Sequence, residues 1–305
     1  TINLPVSFKI KMKLALLFFC AAYLYITPGK AQGPFCYEEA KDCGPKSWGD
    51  TCNKGRNQSP INFNINSDFI SKAGKAKLYY SRDYCQDQDF ILKNNGHTVQ
   101  ASVRGDLTST SFFQGDQDNL ANKQYVFSQL HFHWGSNKDQ GSEHTFNDKS
   151  YVMEAHLVHY SSEFDSLTDA IKSKQPNALA VVGIVYVLSD RENMGLKPIL
   201  KALKNLKKSG DSTTGTNLNL VKLLPKEEER FHNLQYNGSL TTPDCAEVVL
   251  WNVLRNADFI TETQLQQFRD QSDARSKPLQ DNFRPTQDLN DREVRVYKAQ
   301  VIHTK

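Results

Sequence analysis

Three histidines are spaced to hold a metal ion. His131 and His133 stand two apart in Gln129-Leu-His-Phe-His-Trp134, and His156 lies in Glu154-Ala-His-Leu-Val158. Side chains alternate faces along a strand, so Gln129, His131 and His133 share one face, as do Glu154, His156 and Val158. Residues 135–150, containing Gly, Ser, Asn and Asp, join the two segments. Antiparallel pairing across that connection would bring the three imidazoles together. Three protein nitrogens with a fourth position open to water describe catalytic rather than structural zinc. Gln129 and Glu154 stand on the ligand faces, where a metal-bound histidine needs an acceptor for its second ring N–H. His-x-His alone fits partly buried strand histidines better; the third histidine and the flanking acceptors bring the metal reading level with it, and something further is needed to decide.

The elements that must position these residues are mostly strands. Residues 125–134 and 151–160 alternate, while Ala178–Leu188 and Val248–Leu254 are continuous apolar runs of the kind found in strands covered on both faces. Helices are few. Phe164, Leu167 and Ile171 share a helical face; Leu196, Ile199, Leu200, Leu203 and Leu206 form a stripe on a helix expected to end near Ser209-Gly210. Thr261-x-x-Gln264 is a capping box opening a third helix. Many strands and few helices predict an α+β, β-dominated single domain.

Composition sets further bounds. Of 305 residues, 38% are hydrophobic and 23% charged, ordinary for a globular chain. Met12-Lys13, then thirteen largely apolar residues from Leu14 to Ile26, then Gly29 and Ala31, read as a secretory signal peptide. The run is shorter than the roughly 20 residues a bilayer requires. Residues 1–11 are taken as upstream of a starting Met12, and 32–305 as the catalytic domain. Four lysines and no acid lie in 1–31, so the net charge of +3 becomes −1 without them; the apparent basicity is then no sign of a nucleic-acid partner, and none is expected. The C-terminus, Val301-Ile-His-Thr-Lys305, lacks the apolar tail of a lipid-anchor signal. Secretion makes Cys36, Cys43, Cys52, Cys85 and Cys245 candidates for disulfides.

Seven motifs, in order along the chain, resemble those of α-class carbonic anhydrases of the secreted or extracellular type. They are Asn57-Gln-Ser-Pro-Ile61, Asn94-Asn-Gly-His97, Gln129–Gly135, Gly141-Ser-Glu-His-Thr145, Glu154–His159, Gly238-Ser-Leu-Thr-Thr-Pro243 and Asn282-Phe-Arg-Pro285. The likeness runs from about Tyr37 to Val301. It implies a large, mostly antiparallel twisted central sheet with a few peripheral helices. It further implies Zn²⁺ on His131, His133 and His156, and interconversion of CO₂ with bicarbonate and a proton through attack by a zinc-bound hydroxide.

The resemblance assigns roles residue by residue. Thr241 orients the attacking oxygen and donates to Glu143; Thr242 helps to hold bicarbonate. Val158, Val181, Leu240 and Trp251 form a dry wall for CO₂. His97, in a polar turn, is the proton shuttle, with Tyr37, Asn95 and Gln100 lining the water path. Two bridges are implied, Cys52–Cys245 and Cys36–Cys43, leaving Cys85 over. His144 and His159 match structural positions. Phe35 and Phe283 stand where tryptophan is usual, a change of packing only. Two other classes remain as alternatives. A non-catalytic binding relative would have lost ligands, but His131, His133, His156, Glu143 and Thr241 are all present; a mineral-matrix protein would add an acidic or Gly-rich repeat, and none is visible.

Overall fold

Apolar residues at alternate positions build two packed faces on one sheet. The computed structural model describes residues 35–38, 41–65, 70–81, 83–105, 112–115, 123–225 and 232–303; the leader expected over 1–31 lies outside them. Strands Gln124–Trp134 and Met153–Ser161 pair antiparallel, with His131 opposite His156 and His133 opposite Glu154. From them Leu130, Phe132, Trp134, Met153, Ala155 and Leu157 enter the larger core. Val158 and Tyr160 enter a second core on the other face. Every residue of the 153–161 strand is buried. At about 1.5–3 kcal/mol for each large apolar side chain withdrawn from water, such a strand is held from both sides.

The 124–134 strand carries one irregularity that decides where the histidines point. Register shifts between Phe127 and Gln129. Before the shift Tyr125 and Phe127 face the larger core; after it Leu130, Phe132 and Trp134 do. A bulge inserts one residue and so exchanges the faces of everything beyond it. His131 and His133 thereby lie opposite the larger core rather than in it.

Among the described residues the main sheet has twelve strands of mixed pairing, and most neighbours run antiparallel. Leu179–Leu188 lies antiparallel to Met153–Ser161 and parallel to Val249–Leu254, so that Val158, Val181 and Trp251 stand in one cross-strand row. Gly183 is opposite His156; a Cβ there would approach Glu154 Oε1 to 3.2 Å and Val253 to 3.3 Å, so a larger residue would press on the Glu154 side chain. The expected strands are present, and the structure is strand-dominated with few helices.

Helices cover both cores. Leu167–Ser173, which adds Ala170 to the second core, is capped by Ser166, whose hydroxyl accepts from Asp169 N. Glu262–Arg269 sets Leu265 and Phe268 into the larger core. It opens on the capping box, with Gln264 N donating to Thr261 Oγ1 and Thr261 N to Gln264 Oε1. The helix expected to reach Ser209-Gly210 instead spans Lys197–Leu203. Leu206 is still buried, but Gly210 adopts φ +95° and the Lys208 N–H donates to the Asp211 carboxylate. The chain turns there, and an apolar stripe cannot distinguish that turn from another helical one. Two elements carry little alternation and leave no clear signal in the sequence: the edge strand Ser212–Leu218, and Val294–His303 parallel to Ile70–Tyr80.

Candidate metal centre

Three imidazole nitrogens converge. His156 Nδ1 lies 3.1 Å from His133 Nε2 and 3.2 Å from His131 Nε2. Ligands about 2.0–2.1 Å from a tetrahedral zinc stand roughly 3.3 Å apart, close to this spacing. His133 and His156 are buried, and His131 is partly open to solvent.

The second nitrogen of each ring fixes what the first can offer. His131 Nδ1 meets Gln129 Oε1 at 2.9 Å, His133 Nδ1 meets the Asn282 carbonyl at 2.7 Å, and His156 Nε2 meets Glu154 Oε1 at 2.8 Å. All three partners are acceptors, so each ring places its proton on the outward nitrogen and turns a lone pair inward. Lone pairs facing each other at 3.1–3.2 Å cannot hydrogen-bond mutually; a cation between them satisfies all three. Burial, with the neighbouring histidines adding to it, holds His131 well below the usual imidazole range, and burial likewise lowers His133. Both are therefore neutral, as ligands must be.

A second group, His144, Glu154 and His156, is also close enough for metal binding, but it is already a hydrogen-bonded chain. Glu154 Oε1 accepts from His144 Nδ1 at 2.7 Å and from His156, while Oε2 accepts the backbone N–H groups of Glu143 and His144. Burial alone would push Glu154 up; His144 and His156 outweigh it and hold the carboxyl well below its ordinary value. His144 Nε2 meets the Tyr236 hydroxyl at 2.7 Å. His159, three residues beyond His156, lies on the strand's opposite face, 3.2 Å from the Tyr84 hydroxyl, and takes no part.

Glu143 sits against the converging nitrogens. Its Oε2 is 3.5 Å from His133 Nε2 and 3.9 Å from His156 Nδ1, buried and without a hydrogen-bond partner. Oε1 accepts the Arg284 backbone N–H at 2.8 Å. The Thr241 hydroxyl, expected to donate to Glu143, does not do so in this arrangement. Thr241 is nevertheless buried, on the loop after strand His232–Gly238. That loop is tied by Cys52–Cys245 and by Cys245 N–H donation to the Thr242 carbonyl. The buried Arg284 guanidinium donates to Gln58 Oε1, the Ser59 carbonyl and the Cys52 carbonyl. Asn282 and Arg284 act through main-chain groups as well as side chains, which residue types alone do not reveal; the Asn282-Phe-Arg-Pro285 motif is the signal that points to them.

The apolar wall and the polar path diverge from this centre. Val158, Val181 and Trp251 belong to the second core, Leu240 packs against it, and the Trp251 ring lies 4.7 Å from that of His156. On the other side Gln100 is the cross-strand partner of His131 and accepts from Asn95 Nδ2 at 3.4 Å. Asn95 Oδ1 in turn accepts the His97 backbone N–H. The His97 ring stacks on Phe35, with centroids 3.9 Å apart and planes 8° from parallel. Burial lowers the His97 pKa, partly offset by Asp273. Tyr37 packs edge-on against Phe35 and Trp48, beside the Cys52–Cys245 bridge; burial, and then the charge of Glu143, raise its phenol well above the usual range. Cys36 and Cys43 are also bonded, and Cys85 takes part in neither bridge.

The family model for eukaryotic-type carbonic anhydrase matches residues 43–298. Carbonic anhydrase 15 of Mus musculus is 34% identical over 274 residues, 87% of this chain and 83% of that protein. A putative carbonic anhydrase 3 of Caenorhabditis elegans is 33% identical, covering 86% of this chain and 97% of its own length. Carbonic anhydrase 6 of Homo sapiens is 35% identical over 246 residues, 79% of this chain and 75% of that protein.

Proposed function

The chain belongs to the eukaryotic-type carbonic anhydrases, and we propose that it hydrates CO₂ reversibly at a zinc ion held by His131, His133 and His156. The observation that carries the metal assignment is the meeting of three inward lone pairs, each fixed by an outward acceptor. Zinc bound there supplies a water acidified to a pKa of about 7, a magnitude that belongs to carbonic anhydrases at large.

The residues around it divide the remaining work. Gln129, the Asn282 carbonyl and Glu154 hold the ligand tautomers. A carboxylate only accepts, so a Thr241 hydroxyl bonded to the partnerless Glu143 Oε2 must be the donor. Thr241 Oγ1 then has only lone pairs left for the attacking oxygen and turns that oxygen's nucleophilic pair toward the wall. Val158, Val181, Leu240 and Trp251 hold apolar CO₂ there without competing hydrogen bonds, and Thr242 binds the bicarbonate product. His97 accepts the released proton on a ring nitrogen, through water ordered along Gln100 and Asn95 near Tyr37. The ordinary imidazole range suits that transfer, and burial lowers that of His97 from it.

The same reading makes this an extracellular enzyme. Cys36–Cys43 and Cys52–Cys245 support it, since disulfides persist in oxidising compartments. No helix among the described residues is long and apolar enough to cross a membrane. Stopped-flow CO₂ hydration on chelator-stripped protein tests the metal assignment. Activity is expected to vanish on stripping and return with one equivalent of Zn²⁺ but not with Mg²⁺. Full hydration by the stripped enzyme would overturn it.

A further inference from the structure

A second cavity, of about 460 Å³, opens on a part of the sheet that the histidine centre does not use. It lies at the end of the 179–188 strand. Leu188 is five residues along from Gly183, the partner of His156, about 16 Å at roughly 3.3 Å per residue. Volumes of about 300–1,000 Å³ are usual for small-molecule sites.

The lining combines two features seldom left exposed together. Lys138, Lys149 and Arg255 line it, and no carboxylate does. Among the described residues none of these three cations forms an ion pair, whereas Lys54, Arg104 and Lys222 pair with Asp50, Asp89 and Asp87. Phe146, Val187 and Leu188 line it as well. Val187 and Leu188 are 40% and 38% exposed, and with Met194 they are the exposed large apolar side chains of the described surface. Like charges around a concave, low-dielectric wall concentrate a positive potential. The exposed apolar area favours a ligand whose apolar body covers it.

We propose that this cavity binds a small amphipathic organic anion, a carboxylate carrying an alkyl or aryl body. The head is held by the lysine and arginine side chains, and the body lies on Phe146, Val187 and Leu188. Neither feature alone selects this class. Inorganic anions have no use for the apolar floor, and apolar cations are repelled by the rim. The site owes nothing to the zinc reading, and its ligand need not alter CO₂ hydration.

Isothermal titration of decanoate into the zinc-loaded enzyme at low ionic strength tests it. The wild type is expected to bind decanoate, with acetate and decylamine at least tenfold weaker. The double variant Lys149→Glu/Arg255→Glu and the single variant Leu188→Asp should each weaken decanoate at least tenfold while hydrating CO₂ at the wild-type rate. Should the double variant fail to fold, Lys138→Glu on its exposed loop carries the same expectation of weaker binding. Absence of decanoate binding, equal binding of decylamine, or binding that inhibits hydration and ignores these substitutions would overturn the proposal.

Discussion

Each imidazole of the centre is held by a different acceptor: an amide oxygen, a main-chain carbonyl and a carboxylate. The carbonyl cannot be removed by substituting its own residue, but the amide can. Gln129→Leu frees the His131 tautomer, and zinc affinity is expected to fall about 10–100-fold, measured by competition with a chromophoric chelator. Unchanged affinity would separate Gln129 from metal binding. At the exit side, His97→Ala is expected to slow hydration in weakly buffered solution and to recover with added imidazole. An unchanged rate would remove His97 from proton transfer. Phe35→Ala uncovers the same ring. Since burial is the main cause of the lowered His97 pKa, that pKa should rise toward the ordinary value of about 6.5, read by NMR titration of the ring protons.

Much of the elements' placement is legible in the sequence, and the misses have physical causes. The strands carrying His131, His133 and His156 follow from alternation, and the helix opening at Glu262 from its capping box. The bulge between Phe127 and Gln129 does not, because one extra residue leaves alternation intact on both sides and only exchanges the faces. The helix at 197–203 is shorter than its apolar stripe implies because Leu206 is buried in a turn. The loop bearing Thr241 is secured by a bridge across 193 residues, and loops of that length gain about 2–5 kcal/mol from closure. Cys52→Ser/Cys245→Ser should lower stability by about that amount in urea unfolding and slow hydration as Thr241 loosens. Wild-type stability in the double variant would show the bridge to be dispensable.

At the scale of the whole molecule, a buried neutral histidine shapes acid tolerance. Burial pushes His159 down to about 3, and it lies between the Tyr84 hydroxyl and the Ala180 carbonyl. In the unfolded chain the same ring titrates at about 6.5. Between those values the unfolded state binds a proton that the native state refuses. This residue's stabilising share is therefore present above about pH 6.5 and declines as pH falls, by about 1.4 kcal/mol per unit. His159→Gln should flatten the pH dependence of unfolding free energy between pH 6 and 4 by about that slope; an unaltered slope would contradict the burial argument.

One zinc ion on His131, His133 and His156 is what would make this chain a CO₂ hydratase. Zinc stoichiometry and stopped-flow hydration, measured on the same preparations of wild type and His133→Ala, test the two halves of that claim together. One zinc per wild-type chain with rapid hydration is expected, and loss of both in a folded variant. Full hydration by a zinc-free His133→Ala protein would contradict it.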